Sequence, residues 1–311
     1  MTLSTTEPHS LEAHMKILRE RKPNLSAHSY LTYKTSLKRL AKVSPTYEPA
    51  PIIKYVMELG NPNVGRNLLV PLLILKGEVF RETFNRLSDE FEEIRMSQKP
   101  TESQLKNVTT LKHIKRMLRR MREDVVTHKL LKKPWGSLNT VQKRLVIAYV
   151  SFTLLVDITM RSDLNSIRVV STNSKATEPD LNYYVSSSGT IILNRFKTYR
   201  SFARRRMLPL KLDVKPTTKR VLREYLAKAP GPFLFSLTGS KLTKAAHNNI
   251  LIAHSHRYLG VRVGTTMLRH IILSEFEKKN PSLRERKEQM KKMQQIQIET
   301  QMSYAFRELS N

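Results

Sequence analysis

The chain has 311 residues, 40% of them hydrophobic, with 55 Lys+Arg against 26 Asp+Glu, a formal net charge of +29 and an isoelectric point of about 10.4. The hydrophobic share excludes a disordered basic tail, and the absence of cysteine excludes disulfides and thiolate metal sites. The charge excess calls for a polyanionic partner, nucleic acid ahead of an anionic membrane surface.

Residues 1–16 lack the apolar core of a secretory signal, so an intracellular protein is expected. Residues 10–96 read as helices. Leu11, Met15 and Leu18 recur at helical spacing, and Tyr30, Tyr33, Leu37 and Leu40 continue it over residues 29–42. Pro45, Pro49 and Pro51 punctuate a turn before a short helix over residues 52–59, which Gly60-Asn61-Pro62 ends. Residues 64–80 form another helix and 84–96 an acidic amphipathic one. Asp89, Glu90, Glu92 and Glu93 read as its solvated face, not as a metal site. The polar, proline-containing stretch SQKPTESQLK marks a boundary. The expected plan is a helical domain over 1–98, a linker over 99–106 and a second domain over 107–311.

In the second domain, residues 111–126 set Leu111, Ile114, Leu118, Met121 and Val125 on one face and Lys112, Lys115, Arg116, Arg119 and Arg122 on the other. Residues 132–136 (KKPWG) form a loop. Residues 140–156 make an apolar helix, interrupted by Ser151 and Thr153 and shorter than the ~20 residues of a membrane span, so a buried helix is expected and no membrane association. Residues 163–167 open a further short helix. Strands are expected over 181–186 and 190–196, joined by Ser187-Ser188-Gly189, and over 204–210. Helices resume over 217–229, 241–259, 265–278, 283–293 and 299–309. The predicted fold is mainly α, of α+β type, with a small three-stranded antiparallel sheet.

The sharpest local signal is RFKTYRSFARRR, residues 195–206, with six basic side chains and no acid. As a hairpin it suits a DNA groove, Arg195, Arg200, Arg204, Arg205 and Arg206 meeting phosphates; the competing reading is a solvated basic turn. Arg161 ends the apolar helix and needs a partner, either Asp163 or a phosphate. Arg269-His270 on an amphipathic helix and Tyr304 near the end of the chain are each, taken singly, compatible with plain packing. Taken together, a phenol oxygen can form a covalent phosphodiester, and Arg161, Lys197 and Arg269 can neutralise the phosphate during attack. His247, His254 and His256 lack a third ligand at suitable spacing, so no metal is expected. With no glycine-rich phosphate loop, no ATP or other cofactor is expected either.

An arginine ending an apolar helix (MRSD, 160–163), NYY (182–184) leading to a lysine in FKTYRS (196–201), MLRHIILSEF (267–276) and a late tyrosine in MKKMQQIQIETQMSY (290–304) follow one another in an order that resembles the tyrosine recombinase, or phage integrase, family. The resemblance covers nearly the whole chain and looks strongest to integrases of virophages, polinton-like viruses and large algal DNA viruses. It implies an N-terminal helical core-binding domain that clamps DNA and a helical catalytic domain. It also implies roles: Arg161 and Arg269 hold the scissile phosphate, Lys197 protonates the leaving 5′ oxygen, and Tyr304 forms a 3′-phosphotyrosyl bond. The implied partner is double-stranded DNA, with a monomer in solution and a homotetramer on two DNA sites. The implied setting is a nucleus, a viral factory or a prokaryotic cytoplasm. Two positions depart from the family pattern. Thr266 stands where a histidine is usual, and Gln295 where histidine or tryptophan is usual. Neither is a base near neutral pH, so His270 is the candidate to take the Tyr304 proton. A type IB topoisomerase and a catalytically weakened DNA-binding descendant are the alternatives. Ala305, Phe306 and Leu309, the apolar residues after Tyr304, are expected to dock on a neighbouring protomer or on their own domain.

Overall fold

The computed structural model describes residues 10–306, apart from the side chains of His28, Ser103, Ser162 and Asp163. The chain divides after Ser97 into two compact units. The first is all-helical: α1 (Leu11–Arg21), α2 (Ala27–Ala41), α3 (Pro49–Glu58), α4 (Pro62–Lys76) and, after a 3-10 turn, α5 (Arg81–Ser97). Local chemistry sets the starts. The side chains of Ser10, Ser26 and Asn61 accept first-turn N–H groups, and Pro49 and Pro62 occupy first helical positions, where no N–H is needed. Leu18, Leu37, Leu40, Ile52, Leu69 and Phe80 close the core. Gly65 permits close packing of α4. A Cβ there would lie 3.0 Å from a Leu87 methyl and 3.1 Å from the Val56 carbonyl. On α5, Asp89, Glu92 and Glu93 are exposed, the solvated face that the amphipathic pattern predicts.

The second unit holds α6 (Glu102–Leu105), α7 (Leu111–Thr127), α8 (Thr140–Asp157), α9 (Tyr199–Arg204), α10 (Pro216–Leu226), α11 (Lys244–Leu259), α12 (Thr265–Glu277), α13 (Leu283–Lys292) and α14 (Ile298–Met302). Helix α8 is the axis of this unit. It is capped by an Asn139–Gln142 box, packs against α7, α10, α11 and α12, and is buried from Leu145 through Phe152. That enclosure explains why its apolar residues run on without an amphipathic period. Helix α7 buries Ile114, Met117, Met121 and Val125 and exposes Lys112, Lys115, Arg116, Arg119 and Arg122. Among the described residues no helix is long and apolar enough to cross a membrane.

The fold is mainly helical with a small sheet, as the sequence predicts, but the sheet differs from expectation. It has four strands, β1 (Ile167–Val170), β2 (Asn182–Val185), β3 (Thr190–Leu193) and β4 (Leu210–Asp213), in that spatial order. β1 runs parallel to β2, and only the other two pairs are antiparallel. Residues 204–210 are not the third strand. Arginines 204–206 lie on α9 and the turn that follows it, all exposed, and β4 begins at Leu210. There the alternation needed for a half-buried strand is present: Leu210, Leu212 and Val214 point in, Lys211, Asp213 and Lys215 out. The last helix ends at Met302, not at residue 309. Ala305 and Phe306 are buried against their own unit, the Phe306 N–H donating to Ser274 Oγ at 2.8 Å. Leu309 lies outside the described residues.

Candidate active site

Arg161 follows α8 by four residues. Asp157 fixes the helix end by accepting the Lys215 N–H at 2.7 Å, and the buried residues Ile158 and Met160 hold the segment that follows. The Arg161 N–H donates to Gln294 Oε1 at 3.3 Å. Its guanidinium Nε is buried with no hydrogen-bond partner among the described residues. The Asp163 side chain, the alternative partner read from sequence, lies outside what the structure describes.

Lys197 is set by the end of β3. Asn182 Oδ1 accepts the N–H groups of Asn194 and Arg195, both at 2.9 Å, and Phe196 turns inward against Phe202 with ring centroids 5.1 Å apart. Lys197 therefore faces outward. The next residue is tied down, its Thr198 hydroxyl donating to the Gln294 carbonyl at 2.7 Å.

Arg269 lies on α12. That helix starts where Asn248 Oδ1 accepts the Thr265 N–H at 3.0 Å, and a Cβ at Gly264 would come within 2.7 Å of that oxygen. Arg269 is 5% exposed, donates from Nη2 to the Met293 carbonyl at 3.3 Å, and lies 4.6 Å from the centroid of the Tyr304 ring. A guanidinium over an aromatic face is attracted by the ring quadrupole. His270 Nδ1 lies 2.7 Å from the Tyr304 carbonyl. A carbonyl only accepts, so Nδ1 carries the proton. The imidazole also stacks on Phe306, centroids 4.6 Å apart and planes 3° from parallel. Burial pushes its pKa below the ordinary imidazole value, the carbonyl bond opposes that, and the Arg269 charge adds to the lowering.

Arg161, Lys197, Thr198, Arg205, Gln295 and Thr300 line an open cavity of about 320 Å³, whose described lining includes no carboxylate. Gln295 is 4% exposed and its Nε2 has no hydrogen-bond partner among the described residues. Cations beside the uncommitted Gln295 amide make an anion site. The cavity thus unites Arg161, Lys197, Gln295 and Arg205. Arg269 joins them through the turn at 293–295, and Tyr304 joins Arg269 through its ring.

The other candidates lie elsewhere. Thr266 is exposed on the first turn of α12, and Arg200, Arg204 and Arg206 are exposed outside the cavity. Arg195 is paired with Asp180 and stacks on Tyr199 at 4.4 Å. His247 and His254 are buried, bonded to Ser151 Oγ and the Ile250 carbonyl, and among the described residues no group of three His, Cys, Asp or Glu is placed to hold a metal. Sequence reasoning missed Thr198, Ser201, Gln294 and Thr300. Gln294 has φ 57°, a conformation unusual outside glycine that its sequence does not announce.

Neither a protein-family profile nor a curated protein sequence matches the chain. Among solved structures it is similar to the crystal structure of XerA recombinase, at 10% identity over 95% of this chain and 93% of that one, with a TM-score of 0.40.

Proposed function

We propose that the chain is a tyrosine-type site-specific DNA recombinase. What carries this reading is one cavity lined by Arg161, Lys197 and Gln295, with Arg269 of α12 hydrogen-bonded to the turn that bears Gln295 and Tyr304 stacked upon that arginine. In this reading Arg161 and Arg269 bind the non-bridging oxygens of one phosphate, and Gln295 Nε2 donates to it. The Tyr304 phenol oxygen attacks phosphorus, its proton passing to solvent, Thr266 being exposed and neutral. The bond from phosphorus to the 5′ oxygen breaks, and the Lys197 ammonium protonates that oxygen. The products are a 3′-phosphotyrosyl bond and a free 5′ hydroxyl. Attack by a 5′ hydroxyl from a partner strand reverses the step, so bond energy is conserved without ATP. Strand exchange in pairs calls for four protomers on two duplex sites. The exposed cations of α7 and of residues 200–206 supply sequence-independent phosphate contacts.

The test uses nicked duplexes with a randomised central segment. The wild-type protein is expected to leave a protease-sensitive adduct that survives SDS, and Tyr304→Phe to leave none at equal DNA affinity. An adduct that persists in Tyr304→Phe would move the nucleophile elsewhere. No adduct from the wild type on any sequence would leave a DNA-binding protein without cleavage.

A further inference from the structure

Three segments far apart in the chain meet on the turn at 293–295. Gln294 is fully buried, and its positive φ is held by two partners contributed by other segments. Its Oε1 accepts the Arg161 N–H at 3.3 Å, and its carbonyl accepts the Thr198 hydroxyl at 2.7 Å. One residue before it, the Met293 carbonyl accepts Arg269 Nη2; one residue after it, Gln295 lines the anion cavity. Arg161 and Lys197 line that cavity too, so the groups tied to the turn are the neighbours of the groups that would meet phosphate.

We propose that Gln294 and Thr198 are positioning residues of the cleavage step. Gln294 Oε1 sets the backbone that presents Arg161, and the Thr198 hydroxyl sets the loop that presents Lys197, both against one turn. The inference rests on the recombinase reading. Its logic is that Lys197 is exposed on a long flexible stem, so the neighbouring anchor decides where its ammonium can reach. Arg161 is half-buried, and its main chain decides where its guanidinium enters the cavity. The two ties therefore serve different chemical events: protonation of the leaving group for Thr198, and grip on the phosphate for Gln294.

The two events separate experimentally. The duplex trapped by the wild type is prepared with an ordinary scissile phosphate and with a 5′-bridging sulfur, a leaving group that needs no proton. Single-turnover cleavage and DNA affinity are then measured for the wild type, Thr198→Val, Thr198→Ser and Gln294→Asn. Valine keeps the shape of threonine and removes only the hydroxyl. Asparagine tolerates the left-handed backbone but is too short to reach the Arg161 N–H. Thr198→Val is expected to cleave the ordinary duplex about 10- to 100-fold more slowly and the sulfur duplex within about threefold of wild type. Thr198→Ser is expected to restore both. Gln294→Asn is expected to lose about tenfold or more on both substrates, with DNA affinity within about twofold of wild type. Equal slowing of Thr198→Val on both substrates, no slowing at all, or losses that simply follow a fall in melting temperature and affinity would reduce both residues to ordinary structural ties. A wild type that forms no adduct removes the recombinase reading and this inference with it. A wild-type adduct with the wrong variant pattern removes only the inference.

Discussion

His247 ties the stability of the second unit to pH. It is 1% exposed on α11, its ring stacks on Phe235 with centroids 5.2 Å apart, and its Nε2 lies 2.9 Å from Ser151 Oγ. Burial disfavours the charged imidazolium and lowers the pKa from 6.5 to about 4. The folded state therefore holds a neutral ring where the unfolded chain, below pH 6.5, holds a charged one. Because the folded pKa is the depressed one, its contribution is intact above about pH 6.5 and is lost as pH falls toward 4. At ~1.4 kcal/mol per pH unit the span amounts to roughly 3 kcal/mol, a large part of a typical stability of ~5–15 kcal/mol. His254 and His270 are lowered in the same direction by burial and add with the same sign. The chain has one tryptophan, Trp135, and it belongs to the same core. Its ring meets Tyr225 at 5.7 Å, Tyr225 meets Phe235 at 5.9 Å, and Phe235 stacks on His247. Trp135 fluorescence during urea unfolding therefore reports this unit and not residues 10–97. The stability gap between wild type and His247→Gln, which keeps a hydrogen-bonding group but does not titrate, should narrow by roughly 3 kcal/mol between pH 7.5 and 4. Taking the difference cancels the carboxylates that both proteins titrate. A gap that stays constant across that range would show that His247 is solvated or charged in the folded state, against the burial described here.

Four further outcomes bear on the site. Tyr304→Phe should lose covalent trapping entirely while keeping DNA affinity, read by SDS gels beside filter binding. Arg161→Ala and Arg269→Ala should each slow single-turnover cleavage by ~10²–10³-fold with a smaller effect on binding, since many other cations hold the duplex; near-normal cleavage would take that arginine out of the site. Arg205→Ala, which loses a cavity-lining cation, should reduce the slope of log affinity against log salt by about one, whereas Lys197→Ala should fail on an ordinary duplex and recover on a 5′-bridging-sulfur one. Light scattering with two-site DNA should show four protomers per pair of sites; monomer–DNA complexes at every concentration, with supercoil relaxation, would identify a topoisomerase instead.

Helices were legible wherever burial is one-sided. Ile114, Met121 and Val125 recur on α7 because only one face meets the core, and α8 stood out because every face does. The sheet was less legible. Ile167-Arg168-Val169-Val170 is too short to show a period, and its parallel partner β2 lies across an eleven-residue connection, so nothing local marks it as a strand. Residues 199–204 carry aromatics and arginines that suit a strand, yet they form a short helix whose Phe202 alone is buried. Candidate site residues were legible as side-chain chemistry in a telling order. What stayed hidden works through the main chain: the Met293 and Gln294 carbonyls, a left-handed φ, and the N–H of Arg161. Such roles depend on where a backbone group lies, and any residue type supplies the group.

The composition of the cavity has a consequence for how its charge is held. Arg161, Lys197 and Arg205 are the cations of its lining, and Thr198, Gln295 and Thr300 have no proton to exchange from pH 5 to 8. Where the family resemblance leads one to expect imidazoles, Thr266 and Gln295 are neutral at every such pH. The nearest imidazole, His270, is drawn away from titration by burial and by the Arg269 charge, both of which lower its pKa, while its bond to the Tyr304 carbonyl opposes them. Affinity for one phosphate should then be set by charge and by geometry, with no imidazole in the described lining to act as a switch. A site of that kind depends more heavily on its supports, because its described lining holds no imidazole whose charge could replace a displaced cation. The ties converging on residues 293–295 are what such a site requires. Their loss should be felt in the rate of cleavage before it is felt in the affinity for DNA.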